Sequence, residues 1–423
     1  MSTSASILQE LRERIAHIPL TNTHDHLRTE EQWLRLEPDL WYFFSPYACS
    51  DLMSSGMPLD VGESLHSKDL SQDEKWERIE PHLGKAANTS FLKAVDIAVR
   101  DIYGIPGLSR DTYPTLLERM KEVKKPGWYR QILRERANIE ITILEAQQSG
   151  LDRSLFVPVL KTWPVTFMRT REELQREAER NGVDVYSLAD YLRAADAHFE
   201  AGVRDGVIAV KFGWLPYWRT LSIDRPTTRD AEVVFNQIFR KRGEGASWED
   251  AKPLQDYLIH YCIQKAADLG LVVEFHTGLQ EGNGNFITDS DPTLLSNLFL
   301  TYKNVNFDIF HAGFPYSTEL GVLAKNFPNV YPNMCWMHII GEQPARNMLD
   351  EWLDLVPSNK ILAFGADYGH VEGTYAHSKM ARENVARVLA DRVSRGNQSM
   401  REAEEIAVRI VRLNGRELYG LDQ

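Results

Sequence analysis

Eight short apolar runs, separated over most of the chain by stretches of helical period, constrain this sequence more than any other feature. They lie at residues 17–23, 139–144, 155–160, 206–211, 271–276, 305–311, 329–335 and 361–365. Several are continuously apolar, such as "LFVPVL" and "GVIAVKF". That is the pattern of parallel strands buried on both faces, not of strands with one wet side. The helical stretches carry their own stop signals. "DAKPLQDYLIHYCIQKAADLG" closes on Gly270, a C-cap residue, directly before the fifth run. Eight strands alternating with helices predict one α/β domain, a (β/α)8 TIM barrel spanning residues 1–423.

One interval breaks the rhythm. About 110 residues separate the first run from the second, where a βα unit needs about 30. They read as helices, for example "DEKWERIEPHLGKAANTSFLKAVDIAVRDIYG". We expect a helical insertion over residues 30–135, leaving from the end of the first strand. Loops that follow barrel strands emerge on the catalytic face, so this insertion is placed to cap a site there.

Composition narrows the function class. The formal net charge is -12, which speaks against nucleic-acid binding through Lys and Arg contacts to phosphate. Three widely spaced cysteines, Cys49, Cys262 and Cys335, give no disulfide framework and no CxxC zinc site. The amino-terminal stretch "MSTSASILQELRERIAHI" reads as an amphipathic helix and not as a signal peptide. No run of about 18 apolar residues suggests a membrane span. A cytoplasmic protein is expected, with no membrane or nucleic-acid partner.

The polar residues at the ends of the runs carry the chemistry. "TNTHDHLRTE" holds His24 and His26 at i and i+2, on one side of an extended chain. "VIAVKFGW" carries Lys211, "LVVEFHTG" His276, "VNFDIFHAG" His311, and "ILAFGADYGH" Asp367. In a parallel barrel these ends converge on one rim. Imidazole is the commonest metal ligand, and four histidines with an aspartate facing one cavity read as a metal site. One histidine alone would as readily be a satisfied core residue.

HxH on the first strand, Lys on the fourth, His on the fifth and sixth, and Asp on the eighth resemble the amidohydrolase superfamily of metal-dependent (β/α)8 enzymes. The long insertion, "SDLMSSG" within it, "KFGWLPYWRTL" after the fourth strand and the ending "RIVRLNGRELYG" are similar to the amidohydrolase-related branch. That branch includes uronate isomerases, aromatic-acid decarboxylases and the amidohydrolase domain fused to glutamine-synthetase-like proteins. The resemblance implies that His24, His26, His276 and Asp367 ligate one divalent metal. Zinc is the first choice, with manganese, iron and nickel as alternatives. A two-metal site bridged by a carboxylated Lys211 is the lesser reading. Asp367, His311 and Lys211 would be catalytic. Arg28, Lys211, Arg219 and Trp214 would bind substrate.

The activity expected is hydrolysis of a small anionic amide or lactone by metal-activated water. The alternative on the same site is a decarboxylase or a sugar-acid isomerase. The uronate-isomerase pattern has an arginine close after the strand-eight aspartate, whereas here "DYGH" includes none. A homo-oligomer is possible, with nothing in the sequence to specify an interface.

Overall fold

The computed structural model describes residues 4–145, 150–241, 243–282 and 284–422. It is a mixed α/β fold whose strand pairings are all parallel. Strands β1 (Leu20–Asp25), β2 (Ile139–Leu144) and β3 (Phe156–Pro158) form one ladder. Strands β4 (Leu160–Lys161), β5 (Ala209–Phe212), β6 (Val272–Phe275), β7 (Phe307–Ile309) and β8 (Val330–Pro332) form the other.

The third predicted run appears as two strands, β3 and β4, broken at Val159, whose N–H turns to the carbonyl of Leu144. The eighth run forms no strand beyond the bridge between Asn333 and Leu362. It nevertheless joins both neighbours. Met334 N–H donates to Leu362 O on one side, at 2.8 Å. On the other, Thr23 N–H donates to Phe364 O at 3.1 Å and Asp367 N–H to His24 O at 2.9 Å. The segment after Leu362 is pressed close to its surroundings: a Cβ on Gly365 would lie 2.8 Å from Thr23 Oγ1 and 2.9 Å from Cys335 Cβ. It then turns through Asp367 at φ +60°. Crowding and this left-handed turn account for the lost ladder.

Helices cover the ring from outside. The first, Ser4–His17, buries Ile7, Leu11 and Ile15, the i, i+4, i+8 stripe of an amphipathic helix. Helix Trp248–Leu269 ends at Gly270 with φ +67°, as its sequence predicts. Between β1 and β2 run helices that include Gln72–Ala86, Ser90–Tyr103 and Tyr113–Glu122. This layer is tied to the residues that follow Asp367. Buried Glu372 accepts from Tyr103 Oη at 2.7 Å, Tyr42 Oη at 3.0 Å and Trp128 Nε1 at 3.2 Å. Tyr47 Oη donates to the backbone carbonyl of Asp367 itself.

The strand positions facing the middle of the ring are less apolar than the runs suggest. Lys211, Glu274 and Asp308 are in register on adjacent strands and share one face. Tyr419, from the carboxyl-terminal end, places its hydroxyl 2.9 Å from Glu274 Oε1 and 2.6 Å from Asp308 Oδ2. Asn333 Nδ2 also donates to Asp308. Burial pushes Glu274 up to about 8 and Asp308 up to about 7. Among the described residues no helix is long and apolar enough to cross a membrane.

Candidate metal centre

His24 and His26 leave β1 on the same side, and Asp367 meets them from the last segment. His24 Nε2, His26 Nε2 and Asp367 Oδ1 form a nearly equilateral triangle with sides of 3.1, 3.1 and 3.0 Å. Ligand atoms about 3.0 Å apart span adjacent corners of a metal with bonds of about 2.1 Å at right angles. The donor set therefore fits a divalent ion held by two imidazoles and one carboxylate, with open positions on the far side.

Electrostatics prepares the ligand states. Burial, then the nearby charges of Lys211 and His26, lower His24 to about 3, so it stays neutral. Burial alone would raise Asp367, but its hydrogen bonds to His24 and His26 hold it well below the usual carboxylate range. Asp367 is therefore ionised. Glu145, at the end of β2, stands 3.6 Å from His26 Nδ1 and 3.8 Å from Lys161 Nζ. Against burial, its charge helps to raise His26, the more exposed of the two rings, above its ordinary value.

Above the triangle lies a cavity of about 270 Å³. His26, Glu145, Asp367, Lys211, Trp214, Tyr217, His276, Tyr47, Glu281 and Trp336 are among the residues that line it. Lys211 Nζ is buried without a hydrogen-bond partner and lies 3.2 Å from the centre of the Phe310 ring. Trp214 is 45% exposed. Asp367, Trp336 and His311 all adopt positive φ. Backbone strain of this kind clusters where side chains must be held in a set direction.

The structure does not bring every expected residue together. His276 lies outside the triangle. Its Nε2 pairs with Leu279 O at 3.1 Å, which turns the ring so that Nδ1 faces His311 Nε2, also at 3.1 Å. His311 does not line the cavity: its Nδ1 pairs with Cys335 O and the side chain is buried. His311, Cys335 and Asp367 do lie close enough for a second ligand cluster, but that carbonyl contact occupies the His311 nitrogen. Arg219 faces away from the cavity. The residue is 7% exposed; its guanidinium is neutralised by Asp256 and donates to Gln255 Oε1, both on helix Trp248–Leu269. Arg28 is exposed and does not line the cavity.

Glu145, Glu281, Tyr47 and Trp336 were not among the residues the sequence singled out. Glu145 directly follows the second run, so the same strand-end rule identifies it. Glu281 is in the Gly-rich loop after the fifth run, where only the fold shows its direction. Tyr47 and Trp336 had no signal, one coming from the insertion and the other from a left-handed turn.

Residues 240–421 match the amidohydrolase family. Protein fluG of Emericella nidulans is 28% identical over 240 residues, covering 53% of this chain and 28% of that protein, so the chain spans under a third of that relative. A uronate isomerase from Thermotoga maritima superposes with TM-score 0.80 at 16% identity, covering 98% of this chain and 97% of that one. A glucuronate isomerase from Caulobacter crescentus gives 0.77 at 20%, over 99% and 95%. The resemblance thus holds, as an amidohydrolase match in the carboxyl-terminal part and a TIM-barrel fold shared with these structures throughout.

Proposed function

We propose that this chain is a metal-dependent hydrolase of a small amide or lactone whose negative charge is received by Lys211. The observation that carries the reading is the triangle of His24 Nε2, His26 Nε2 and Asp367 Oδ1 on the cavity floor. A divalent ion held there, zinc by preference, would polarise a carbonyl and bring the pKa of water toward about 7.

The chain's own residues supply the rest. Asp367 Oδ2 points away from the triangle, 3.8 Å from His311 Nδ1, and is the atom placed to take a proton from attacking water. The same carboxyl then returns that proton to the leaving group. Lys211 Nζ, unpaired and in a dry setting, binds the substrate's negative end or the charge that develops on its oxygen. His311 is a positioning residue: it holds the ring of His276 against the cavity wall. Tyr47 and Trp336 add aromatic surface to the lining and limit water. Residues 30–135 act as a cap on this barrel, supported by Pro46 and Tyr47 among the lining residues.

A sugar-acid isomerase is the second reading, favoured by the full-length likeness to uronate isomerases. Against it, no arginine lines the cavity among the described residues, although a sugar carboxylate is well matched by bidentate arginine. Assaying the zinc- and manganese-repleted protein on small amides, lactones and hexuronates separates the two. Release of a carboxylic acid from an amide or lactone supports hydrolysis. Aldose–ketose conversion of a hexuronate without hydrolysis replaces it with isomerisation.

A further inference from the structure

The cavity holds two unpaired charges of opposite sign. At depth, Lys211 is 1% exposed and its Nζ has no hydrogen-bond partner. In the same lining, the indole Nε1 of Trp336 is a second buried donor without a partner. Part-exposed Glu281 lines the same cavity; its carboxylate has no hydrogen bond and no ion pair among the described residues, though its backbone N–H is fixed to Tyr217 Oη at 2.9 Å. The rings of Tyr217 and Trp214 lie next to it, with centroids 5.1 Å apart. A buried group left unpaired costs free energy unless a ligand completes it. The donors at depth ask for an anion or a carbonyl oxygen. An unpaired carboxylate in a lining that also holds two aromatic rings suits an ammonium group.

We infer that the substrate carries an ammonium group, seated between Glu281 and the faces of Trp214 and Tyr217, as well as the negative end held by Lys211. The substrate class is a small zwitterionic amide of the aminoacyl-amino-acid kind. The inference rests on the amide reading above for the bond that is cleaved, but Glu281 recognition is a matter of binding alone. A sugar acid supplies the anion and leaves Glu281 unanswered. A small cavity of about 270 Å³ suits compact ligands.

Two matched pairs test this by calorimetric titration of the zinc-repleted protein: glycylglycine against N-acetylglycine, and leucylglycine against 4-methylpentanoylglycine. Within each pair only the ammonium differs. In the wild type the amine-bearing member should bind about tenfold more tightly or better, the size of one charge-assisted hydrogen bond. In Glu281→Gln the pair should become nearly equal through weakening of the amine-bearing member alone, and Glu281→Asp should recover part of the preference. Equal binding in the wild type, a preference that survives Glu281→Gln, or no binding by any of the four overturns the inference. Hydrolysis is followed in parallel. Preference without cleavage sinks the hydrolase reading and keeps this one, and cleavage without preference does the reverse.

Discussion

Two histidine pairs sit on the same rim at the same 3.1 Å nitrogen separation, and they are prepared for different work. His24 and His26 turn their Nε2 atoms toward each other and toward an ionised carboxylate oxygen. His276 and His311 also face each other, but the far nitrogen of each is occupied by a backbone carbonyl, Leu279 O and Cys335 O. The first pair shares a carboxylate that a cation would neutralise. The second has carbonyls that fix ring direction and no carboxylate within hydrogen-bond distance. The lesson is that imidazole proximity alone does not define a metal site; what lies behind each ring does.

The sharpest way to break this comparison is Asp367→Asn, which removes the carboxylate from the first pair. Turnover should fall by about a thousandfold, within the range for losing a general acid–base, and bound metal should fall with it. Unchanged metal content would detach Asp367 from the first pair. Next comes Lys211→Met, between the two pairs. It should lower kcat/KM by roughly 10- to 100-fold, in line with the loss of a charged hydrogen bond, while leaving metal content intact. His311→Asn probes the second pair. A roughly tenfold drop in kcat with metal retained fits a positioning role, as measured by elemental analysis beside steady-state kinetics. If it strips metal as Asp367→Asn does, the two pairs are not different.

Smaller effects sharpen the boundary of the site. Arg219→Met should leave KM unchanged and lower unfolding stability by about 2 kcal/mol in chemical denaturation. That is less than the about 3–5 kcal/mol of a stranded buried charge, because Lys252 still pairs with Asp256. A large rise in KM would return Arg219 to the substrate. Beneath the site, Asp308 gives a pH signature. Its carboxyl is raised by burial from 3.8 to about 7. Between those values the folded chain holds a proton that the unfolded chain has released, so stability falls as pH rises through this window. Asp308→Asn should make that decline shallower, the remainder coming from Glu274, raised to about 8, and an unaltered slope would locate it elsewhere.

Much of this was legible in the sequence because two strong regularities coincide. Strand ends in a parallel barrel point to one rim, so His24, His26, Lys211 and Asp367 could be grouped without knowing any contact. The first pair is fixed by local chain geometry, since i and i+2 at the extended end of β1 share a side. The second pair departs from the expected ligand set for a local reason too. Whether His276 reaches the triangle depends on where Leu279 puts its carbonyl, and a loop's backbone path is not written in hydrophobic period. Arg219 failed similarly: its partner Asp256 lies on a distant helix, and only the fold shows them meeting. The eighth run kept its place in the ring and lost its ladder because close packing at Gly365 and a left-handed Asp367 override strand pattern.

Elemental analysis of the purified, repleted protein tests the central claim most directly, comparing wild type, His26→Ala and His276→Ala. The account predicts about one divalent metal per chain in the wild type, lost in His26→Ala and retained in His276→Ala with affinity weakened by no more than about 10- to 100-fold. Metal that survives His26→Ala but disappears in His276→Ala, or a wild type that takes up none, would contradict it.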